Sequence, residues 1–203
     1  MMMATDFLLF GGAFDPPHIG HIASAFYVKE LKGFERLIII PTGVAPHKQT
    51  RKATENSLRK QMLELALKNY SGWEIESFEM EHSGVVCFYQ TLEFLKKKYS
   101  DANFSFLIGS DWISGLSKWK NWNWIKTVAN PICMTRPGYE IKNPLGVEVI
   151  EVPSFEVSSS ILREKLANGL YDDELVQKSI DSLTLAFIRD KGLYKNVASV
   201  IVR

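Results

Sequence analysis

The segment from Phe7 to Ile22 constrains the fold more than any other part of the sequence. The apolar run 7–10 predicts a buried strand, and two glycines, a turn with two prolines and two histidines follow it. Pro17 suits the first turn of a helix, where its missing N–H has no partner to lose. Positions 18 and 21 would share one face of that turn. A helix N-terminus favours anions, and two imidazoles add donors suited to a polyphosphate.

Strand and helix patterns alternate along the rest of the chain. Besides residues 6–10, short apolar or alternating runs predict strands at 37–40, 73–78, 104–108, 131–135 and 148–152. Helical patterns cover residues 18–32, 54–70, 88–99, 158–168 and 173–191. Repeated βα units predict an α/β fold, a Rossmann-like, doubly wound, mainly parallel sheet with helices on both faces. We expect one domain over residues 1–203, with a C-terminal helical part over 155–203 packed on it.

One helical segment has a clear apolar face. In the 54–70 segment this face is formed by Leu58, Met62, Leu65 and Ala66. The predicted helix therefore packs with these four side chains inward.

Composition limits the function classes. With 46% hydrophobic and 23% charged residues, the chain has the makeup of a globular protein with a real core. The net charge of +1 gives no general attraction to nucleic acid or membranes, so any affinity for phosphate is local. Cys87 and Cys133 lie among apolar residues and are expected to be buried thiols in a reducing compartment, the cytoplasm. Neither a secretory signal nor an apolar run of ~18 residues is visible.

Residues 11–21 carry a family resemblance. Their Gly-Gly-x-Phe-Asp-Pro-x-His-x-Gly-His pattern resembles the signature of the HxGH nucleotidyltransferases, and most closely the nicotinate mononucleotide adenylyltransferase branch. The resemblance implies that His18 and His21 are catalytic. The ATP-binding residues that it implies in this segment are Gly11, Gly12, Phe14 and Gly20. A glycine-proline turn with two solvated histidines is the simpler alternative, which the length of the pattern disfavours.

A second motif opens the predicted helix near residue 158. The sequence of residues 157–163 resembles the family's Ser-Ser-Thr-x-Ile-Arg, with Ser160 in place of threonine. Ser158 or Ser159 suits the N-cap position. Free N–H groups, hydroxyls and a guanidinium would then converge on the phosphates of ATP. We expect all three serines to bind ATP and Arg163 to be catalytic, and a capped helix with an exposed arginine is the alternative.

Further candidates follow the predicted strands, where ligands bind in such a sheet. Gly109 and Asp111 resemble the family's Gly-x-Asp segment, which implies contact with ATP, although Asp111 could instead cap a helix. Trp119 is a candidate for stacking on a pyridine ring, whereas Trp122 and Trp124 are expected to pack in the core. The acceptor-binding residues that the resemblance implies are Thr42, Lys48, Val86, Cys87, Trp119 and Arg136.

One short segment departs from the family pattern. Val86, Cys87 and Phe88 stand where the family usually carries Ser-Tyr-Thr. Backbone N–H groups near residues 85–88 could still meet the carboxylate of a pyridine ring, but hydroxyl contacts are lost. The departure leaves adenylyl transfer unaffected and leaves the identity of the acceptor open.

The resemblance implies an enzyme of NAD biosynthesis that transfers AMP from ATP to nicotinate mononucleotide. Magnesium would arrive with ATP, and we expect no protein metal site and no nucleic-acid or membrane partner. Alternatives are another acceptor, either nicotinamide mononucleotide or phosphopantetheine, although enzymes for the latter usually lack His18. An aminoacyl-tRNA synthetase would need a Lys-Met-Ser-Lys-Ser loop that is not visible. A non-catalytic nucleotide-binding protein also remains an alternative, and the oligomeric state stays open.

Overall fold

The chain divides into two compact units. A computed structural model describes residues 5–44, 53–135, 138, 141–143 and 145–195. The sheet unit takes its described residues from 1–13, 24–51 and 70–154, and the helical unit takes them from 14–23, 52–69 and 155–203. That residues 1–203 act as one domain stays a prediction.

A six-stranded parallel sheet forms the centre of the sheet unit. Its strands are β1 (Asp6–Gly12), β2 (Arg36–Pro41), β3 (Trp73–Ile75), β4 (Asn103–Gly109), β5 (Ala129–Thr135) and β6 (Glu148–Glu151). The strand order is β3-β2-β1-β4-β5-β6, and every neighbouring pair is parallel. The order reverses between β1 and β4, which confirms the doubly wound, Rossmann-like fold and creates a switch point where such sheets bind ligands.

Helices connect and follow the strands. They are α1 (Ile19–Lys32), α2 (Asn56–Ala66), α3 (Phe78–Glu81), α4 (Phe88–Lys98), α5 (Trp122–Val128), α6 (Ser159–Ala167), α7 (Glu174–Ser179) and α8 (Ser182–Asp190). A 3₁₀ helix over Ser110–Lys118 follows β4. Within the described ranges, no helix is long and apolar enough to cross a membrane.

The central strands are buried on both faces. Successive side chains of a strand point to opposite faces, so Phe7 and Leu9 lie on one face and Leu8 and Phe10 on the other. All four are at most 8% exposed. Phe7 and Leu9 belong to a core cluster that also contains side chains of β2, β4, β5, α4 and α5. Burial on both faces explains why these strands read as continuous apolar runs.

The helical unit has an apolar core of its own. One helix predicted for this unit is observed as two separate helices. The expected helix over 173–191 is α7 followed by α8, because Ile180 between them has an extended backbone. The Asp181 carboxylate accepts the N–H groups of Leu183 and Thr184 and so caps α8. The break buries Ile180 at 3% exposure in the core, which consists of Met62, Val157, Leu162, Leu166, Val176, Ile180, Leu185 and Ile188.

The strand expected over 73–78 is also shorter. β3 ends at Ile75, and the chain then turns into α3. The Glu76 carboxylate accepts the N–H of Phe78 at 3.1 Å, which satisfies a donor at the start of α3. This local hydrogen bond favours the turn into α3, and alternation of side chains alone does not reveal it.

Candidate active site

The two histidines lie side by side at the start of α1. The helix begins at Ile19, so Pro17 and His18 precede it instead of forming its first turn as expected. The carbonyl of His18 accepts the N–H groups of His21 at 2.9 Å and Ile22 at 3.2 Å. The two imidazole rings are stacked with their centroids 3.7 Å apart. The side chains therefore share one face, as their spacing predicts.

Burial keeps both imidazoles neutral at pH 7. It lowers the pKa of His18 to about 4. Burial, together with the neighbouring His18 ring, lowers the pKa of His21 well below its usual value. Each neutral ring carries one N–H donor. The Nδ1 atom of His18 is buried without a hydrogen-bond partner in the described part of the chain. The pair can thus donate to a phosphate without repulsion between two charges.

Two small structural features hold the histidine pair in place. A Cβ at Gly20 would lie 3.1 Å from Cε1 and Nδ1 of His18 and 3.2 Å from Cγ1 of Val157, so a larger residue would displace the ring. Phe14 is 2% exposed, with its ring edge-on to His21 at 5.1 Å between centroids. Both residues therefore have a packing role beside the histidines. Their contact with ATP stays a prediction.

One serine at the start of α6 is bonded to the turn that precedes the histidines. Ser158 is the N-cap, and its Oγ accepts the N–H of Ile161 at 3.3 Å. The hydroxyl of Ser159 donates to the carbonyl of Pro16 at 3.0 Å. The expected N-cap is confirmed, and the start of α6 lies against the turn that leads into α1.

Arg163 reaches the same turn from the next turn of α6. Its Nη1 donates to the carbonyl of Asp15 at 2.7 Å, and its Nη2 donates to the hydroxyl of Ser160 at 2.9 Å. Only the two prolines Pro16 and Pro17 separate Asp15 from His18 in the sequence. The structure therefore brings together the three predicted catalytic residues within the helical unit.

Asp15 is the centre of a buried polar cluster that joins three segments of the helical unit. Its side chain is buried, and the residue is 3% exposed. Oδ1 accepts the hydroxyl of Tyr194 at 2.7 Å, and Oδ2 accepts the N–H of Thr54 at 3.3 Å. Burial, with the Asp15 carboxylate next to it, raises the pKa of Tyr194 above its usual value. The turn that leads into the histidines is thereby tied to the residue just before the N-cap of α2 and to the end of the described chain.

Arg59 occupies the buried face of α2, which corrects the predicted apolar face. The buried positions are Arg59, Met62, Leu63 and Ala66, whereas Leu58 and Leu65 are partly exposed. Arg59 is 1% exposed. Its Nε donates to the carbonyl of Thr54 at 3.0 Å and its Nη2 to Oδ1 of Asn56 at 2.6 Å. Burial lowers the pKa of Arg59, and the nearby Asp15 carboxylate opposes that shift. An arginine fits this core position because polar partners surround its guanidinium.

In the sheet unit, Gly109 and Asp111 stand at the end of β4. Gly109 is the N-cap residue of the 3₁₀ helix, so Asp111 does not cap it. A Cβ at Gly109 would lie 2.6 Å from Oδ1 of Asp111. The glycine thus leaves room for the carboxylate, and Asp111 is exposed. Its contact with ATP stays a prediction.

Gly11 and Gly12 end β1, where they pair with Ile40 and Pro41 of β2. The N–H of Thr42, directly after β2, donates to the carbonyl of Gly12 at 2.9 Å. A Cβ at Gly11 would meet the carbonyl of Ile40 at an ordinary 3.9 Å. Packing within the protein therefore does not require glycine at position 11. Close approach of a ligand to this backbone would require it.

Trp119 lies half-buried among aromatic rings. Its ring centroid is 5.5 Å from that of Phe88 and 5.9 Å from that of Phe106. Trp122 and Trp124 pack at the edge of the core cluster, as expected. An open pocket is lined by Ser117, Trp119, Asn121, Trp122, Asn123 and Trp124. Trp119 therefore has both a packing role and a face beside an open pocket.

The cysteine expectation is half correct. Cys133 is fully buried, and burial raises the pKa of its thiol to about 11. Cys87 is only partly buried. It is the N-cap of α4, and its N–H donates a capping hydrogen bond to Oε1 of Gln90 at 2.9 Å. The backbone beside Val86 and Cys87 thus leads directly into a helix N-terminus.

Comparison with known proteins identifies the family. The sequence profile of the cytidylyltransferase-like family matches residues 9–165. The nicotinate-nucleotide adenylyltransferase of Bacillus subtilis (strain 168) is 32% identical over 188 residues, which cover 93% of this chain and 97% of that protein. The chain belongs to the nicotinate-nucleotide adenylyltransferase family. Another relative, named "Probable nicotinate-nucleotide adenylyltransferase" from Geobacillus thermodenitrificans (strain NG80-2), is 34% identical over 95% of this chain and 87% of its own length.

Solved structures show the same fold. The nicotinic acid mononucleotide adenylyltransferase of Plasmodium falciparum, complexed with NaAD, gives a TM-score of 0.74 at 20% identity and covers 94% of this chain and 97% of that chain. The same enzyme complexed with APC gives a TM-score of 0.72 with the same coverage. This adenylyltransferase family member therefore shares their α/β fold.

Two candidate residues lie outside the described residues. Lys48 and Arg136 were both predicted to bind the acceptor. Both assignments stay predictions.

The described residues contain no group of three or more histidine, cysteine, aspartate or glutamate side chains that could hold a metal ion. That magnesium arrives with ATP stays a prediction.

Sequence reasoning missed the polar cluster behind this adenylyltransferase site. The sequence patterns assign no site role to Arg59 or Tyr194, and they include Asp15 only as part of the motif over residues 11–21. A signal for Arg59 does exist, since it lies three and seven positions before Met62 and Ala66 on the buried face. The partner that stabilises it belongs to a distant segment, which periodicity does not reveal.

Proposed function

We propose that the chain transfers AMP from ATP to nicotinate mononucleotide, giving deamido-NAD and pyrophosphate. The observation that carries the proposal is the stacked His18–His21 pair, with Arg163 bonded to the turn just before it. The 32–34% identity to named nicotinate-nucleotide adenylyltransferases supports this acceptor. We place the reaction in the cytoplasm, with magnesium delivered as the ATP complex.

The reaction requires no covalent intermediate with the protein. A phosphate oxygen of the acceptor attacks the α-phosphorus of ATP and forms a new P–O bond. The bond from that phosphorus to the bridging oxygen breaks, and pyrophosphate leaves with its electrons. The protein then contributes position and stabilisation of negative charge.

The roles of the chain's residues follow from their charges. Neutral His18 and His21 donate N–H groups to oxygens of the phosphate chain, because burial disfavours their charged forms. Arg163 supplies the positive charge next to them, and its planar fork suits the β- and γ-phosphates. The serine hydroxyls and free N–H groups at the start of α6 add further donors.

The deciding experiment compares acceptors. Purified protein with ATP and magnesium is given nicotinate mononucleotide or nicotinamide mononucleotide, and release of pyrophosphate is measured. We expect the acid to be preferred, although Val86, Cys87 and Phe88 remove the family's hydroxyl groups. Equal or better turnover of the amide would reject the nicotinate assignment and retain adenylyl transfer. Turnover of neither acceptor would reject the proposed function.

Arg163→Lys is expected to weaken the use of ATP by about tenfold or more, the scale for one hydrogen bond to a charged group. Lysine keeps the charge and loses the planar fork, so the acceptor should be affected much less. Isothermal titration of each substrate measures the two effects separately. Arg189→Lys is the matched control. Arg189 lies on α8, is exposed and forms an ion pair with Asp172. Weakened acceptor binding with intact ATP binding would assign Arg163 to the other half of the site.

Trp119→Ala is expected to raise the KM for the acceptor more than the KM for ATP. Stacking of a base on an aromatic side chain contributes ~1–3 kcal/mol, or roughly 5- to 150-fold. Trp124→Ala is the control, because Trp124 borders the same pocket and packs on the core but is not assigned to the acceptor. Steady-state kinetics with each substrate varied in turn measures both constants. An equal rise of both KM values in the two variants would leave Trp119 with a packing role alone.

A further inference from the structure

Glu79 is a buried acid on α3 that receives hydrogen bonds from two separate segments of the sheet unit. The residue is 7% exposed. The hydroxyl of Thr91, on α4, donates to its Oε1 at 3.0 Å, and the backbone N–H of Gly43, just after β2, donates to the same carboxylate. Thr91 is itself fully buried. The acid therefore joins the end of β2 to the helix that follows Val86 and Cys87.

The contact with the segment after β2 leaves no room for a side chain. A Cβ at Gly43 would lie 2.0 Å from the carbonyl oxygen of Glu79 and 2.8 Å from its carbonyl carbon. The backbone at Gly43 thus touches the backbone of α3 directly. Thr42, the residue before it, is one of the predicted acceptor-binding residues.

The contact with α4 leads to the other acceptor candidates. Thr91 lies one turn after Phe88, the first residue of α4. The Phe88 ring is edge-on to Trp119 at 5.5 Å between centroids. Cys87 is the N-cap of the same helix. The described residues predicted to bind the acceptor are therefore next to, or in contact with, the two segments that Glu79 joins.

Burial of this acid is costly. It raises the pKa of Glu79 to about 7, although the hydrogen bonds from Thr91 and Gly43 act in the opposite direction. Its neighbour in sequence, Glu76, is also buried but accepts from Lys98 at 2.7 Å and from the N–H of Phe78. The two acids thus have different partners within one short segment, and Glu76 provides a matched control.

We propose that Glu79 is a positioning residue for the acceptor half of the site. Its carboxylate holds the Thr42–Gly43 backbone and the first turns of α4 at a fixed separation. The predicted acceptor-binding residues on these two segments then keep a fixed position relative to one another. This inference rests on the proposed function.

The kinetic test compares Glu79→Gln, Thr91→Val and Thr91→Ser with Glu76→Gln. Glutamine keeps the shape but is neutral, so the hydrogen bonds that it accepts from Thr91 and Gly43 are weaker than those to a carboxylate. We expect the KM for nicotinate mononucleotide to rise about tenfold in Glu79→Gln and Thr91→Val, with the KM for ATP within about twofold. Thr91→Ser should restore the acceptor KM because it keeps the hydroxyl, and Glu76→Gln should not change it. Equal rises in both KM values would overturn the proposal.

A second measurement does not depend on activity. Amide hydrogen exchange in Glu79→Gln should accelerate in residues 42–44 and 86–92, and in Glu76→Gln it should stay at the wild-type rate there. Unchanged exchange in both segments of Glu79→Gln would overturn the positioning role, whatever the substrate. Wild-type protein that transfers AMP to no pyridine mononucleotide would instead overturn the proposed function and, with it, the acceptor role of Glu79.

Discussion

Replacement of His18 or His21 with alanine is expected to lower kcat/KM by ~10²-fold or more, about 2.7 kcal/mol, the scale for loss of one donor in the transition state. The stacked rings and their lowered pKa values make both residues neutral N–H donors at one helix terminus. A hydrogen bond that strengthens as negative charge develops on the phosphates in the transition state affects mainly kcat. Steady-state kinetics with ATP and the preferred acceptor measures the loss.

The control for this prediction is His82→Ala. His82 is exposed, and its Nδ1 contacts the carbonyl of Phe78 at 2.6 Å, in the sheet unit. It should keep wild-type activity. The histidine assignment is contradicted by folded His18→Ala and His21→Ala proteins that both retain full kcat/KM. Circular dichroism and thermal unfolding of each variant establish that the fold is intact.

Much of the fold could be predicted because its signals are local. Ile38, Ile39 and Ile40 form a buried run because parallel strands are covered on both faces. The turn from β1 to α1 is indicated by its glycines and prolines, even though α1 begins at Ile19. Strand patterns and their connecting helices are enough to predict a doubly wound sheet. The strand order observed here agrees with that expectation.

Part of the candidate site could also be predicted. The two motifs named His18, His21 and Arg163, and the structure brings all three to one turn of the helical unit. A motif carries this information because its residues act together on one ligand. The state of the imidazoles could not be predicted, since their lowered pKa values depend on burial.

The remaining features depend on partners that are distant in the sequence. Arg59 is polar, so a search for apolar periodicity excludes it from the core, yet Asp15 and the Thr54 carbonyl offset part of the cost of burying its charge. Tyr194 reaches Asp15 across 179 positions of the chain. Glu79 likewise appears as an ordinary helix carboxylate until its contact with Gly43 is seen. Tertiary contacts determine the burial and the partners of such residues, and local sequence patterns do not reveal them.

Arg59→Met is expected to lower the free energy of unfolding by about 3–5 kcal/mol, the scale for removal of one partner from a buried charged pair. Methionine fills much of the same volume but leaves the 3% exposed Asp15 without the guanidinium that offsets its charge. It also removes the hydrogen bonds to Thr54 and Asn56. Urea unfolding followed by circular dichroism gives the free energy.

A double-mutant cycle separates the charge from the packing. Asp15→Asn together with Arg59→Met should cost less than the sum of the two single variants, because the second change removes the carboxylate that the first left uncompensated. Arg189→Met is the surface control, and loss of its exposed pair with Asp172 should cost less than about 1 kcal/mol. If Arg59→Met costs no more than Arg189→Met, the Asp15 cluster is not what stabilises the turn that carries the histidines. A large and non-additive cost would show that this cluster stabilises the turn next to the predicted catalytic side chains.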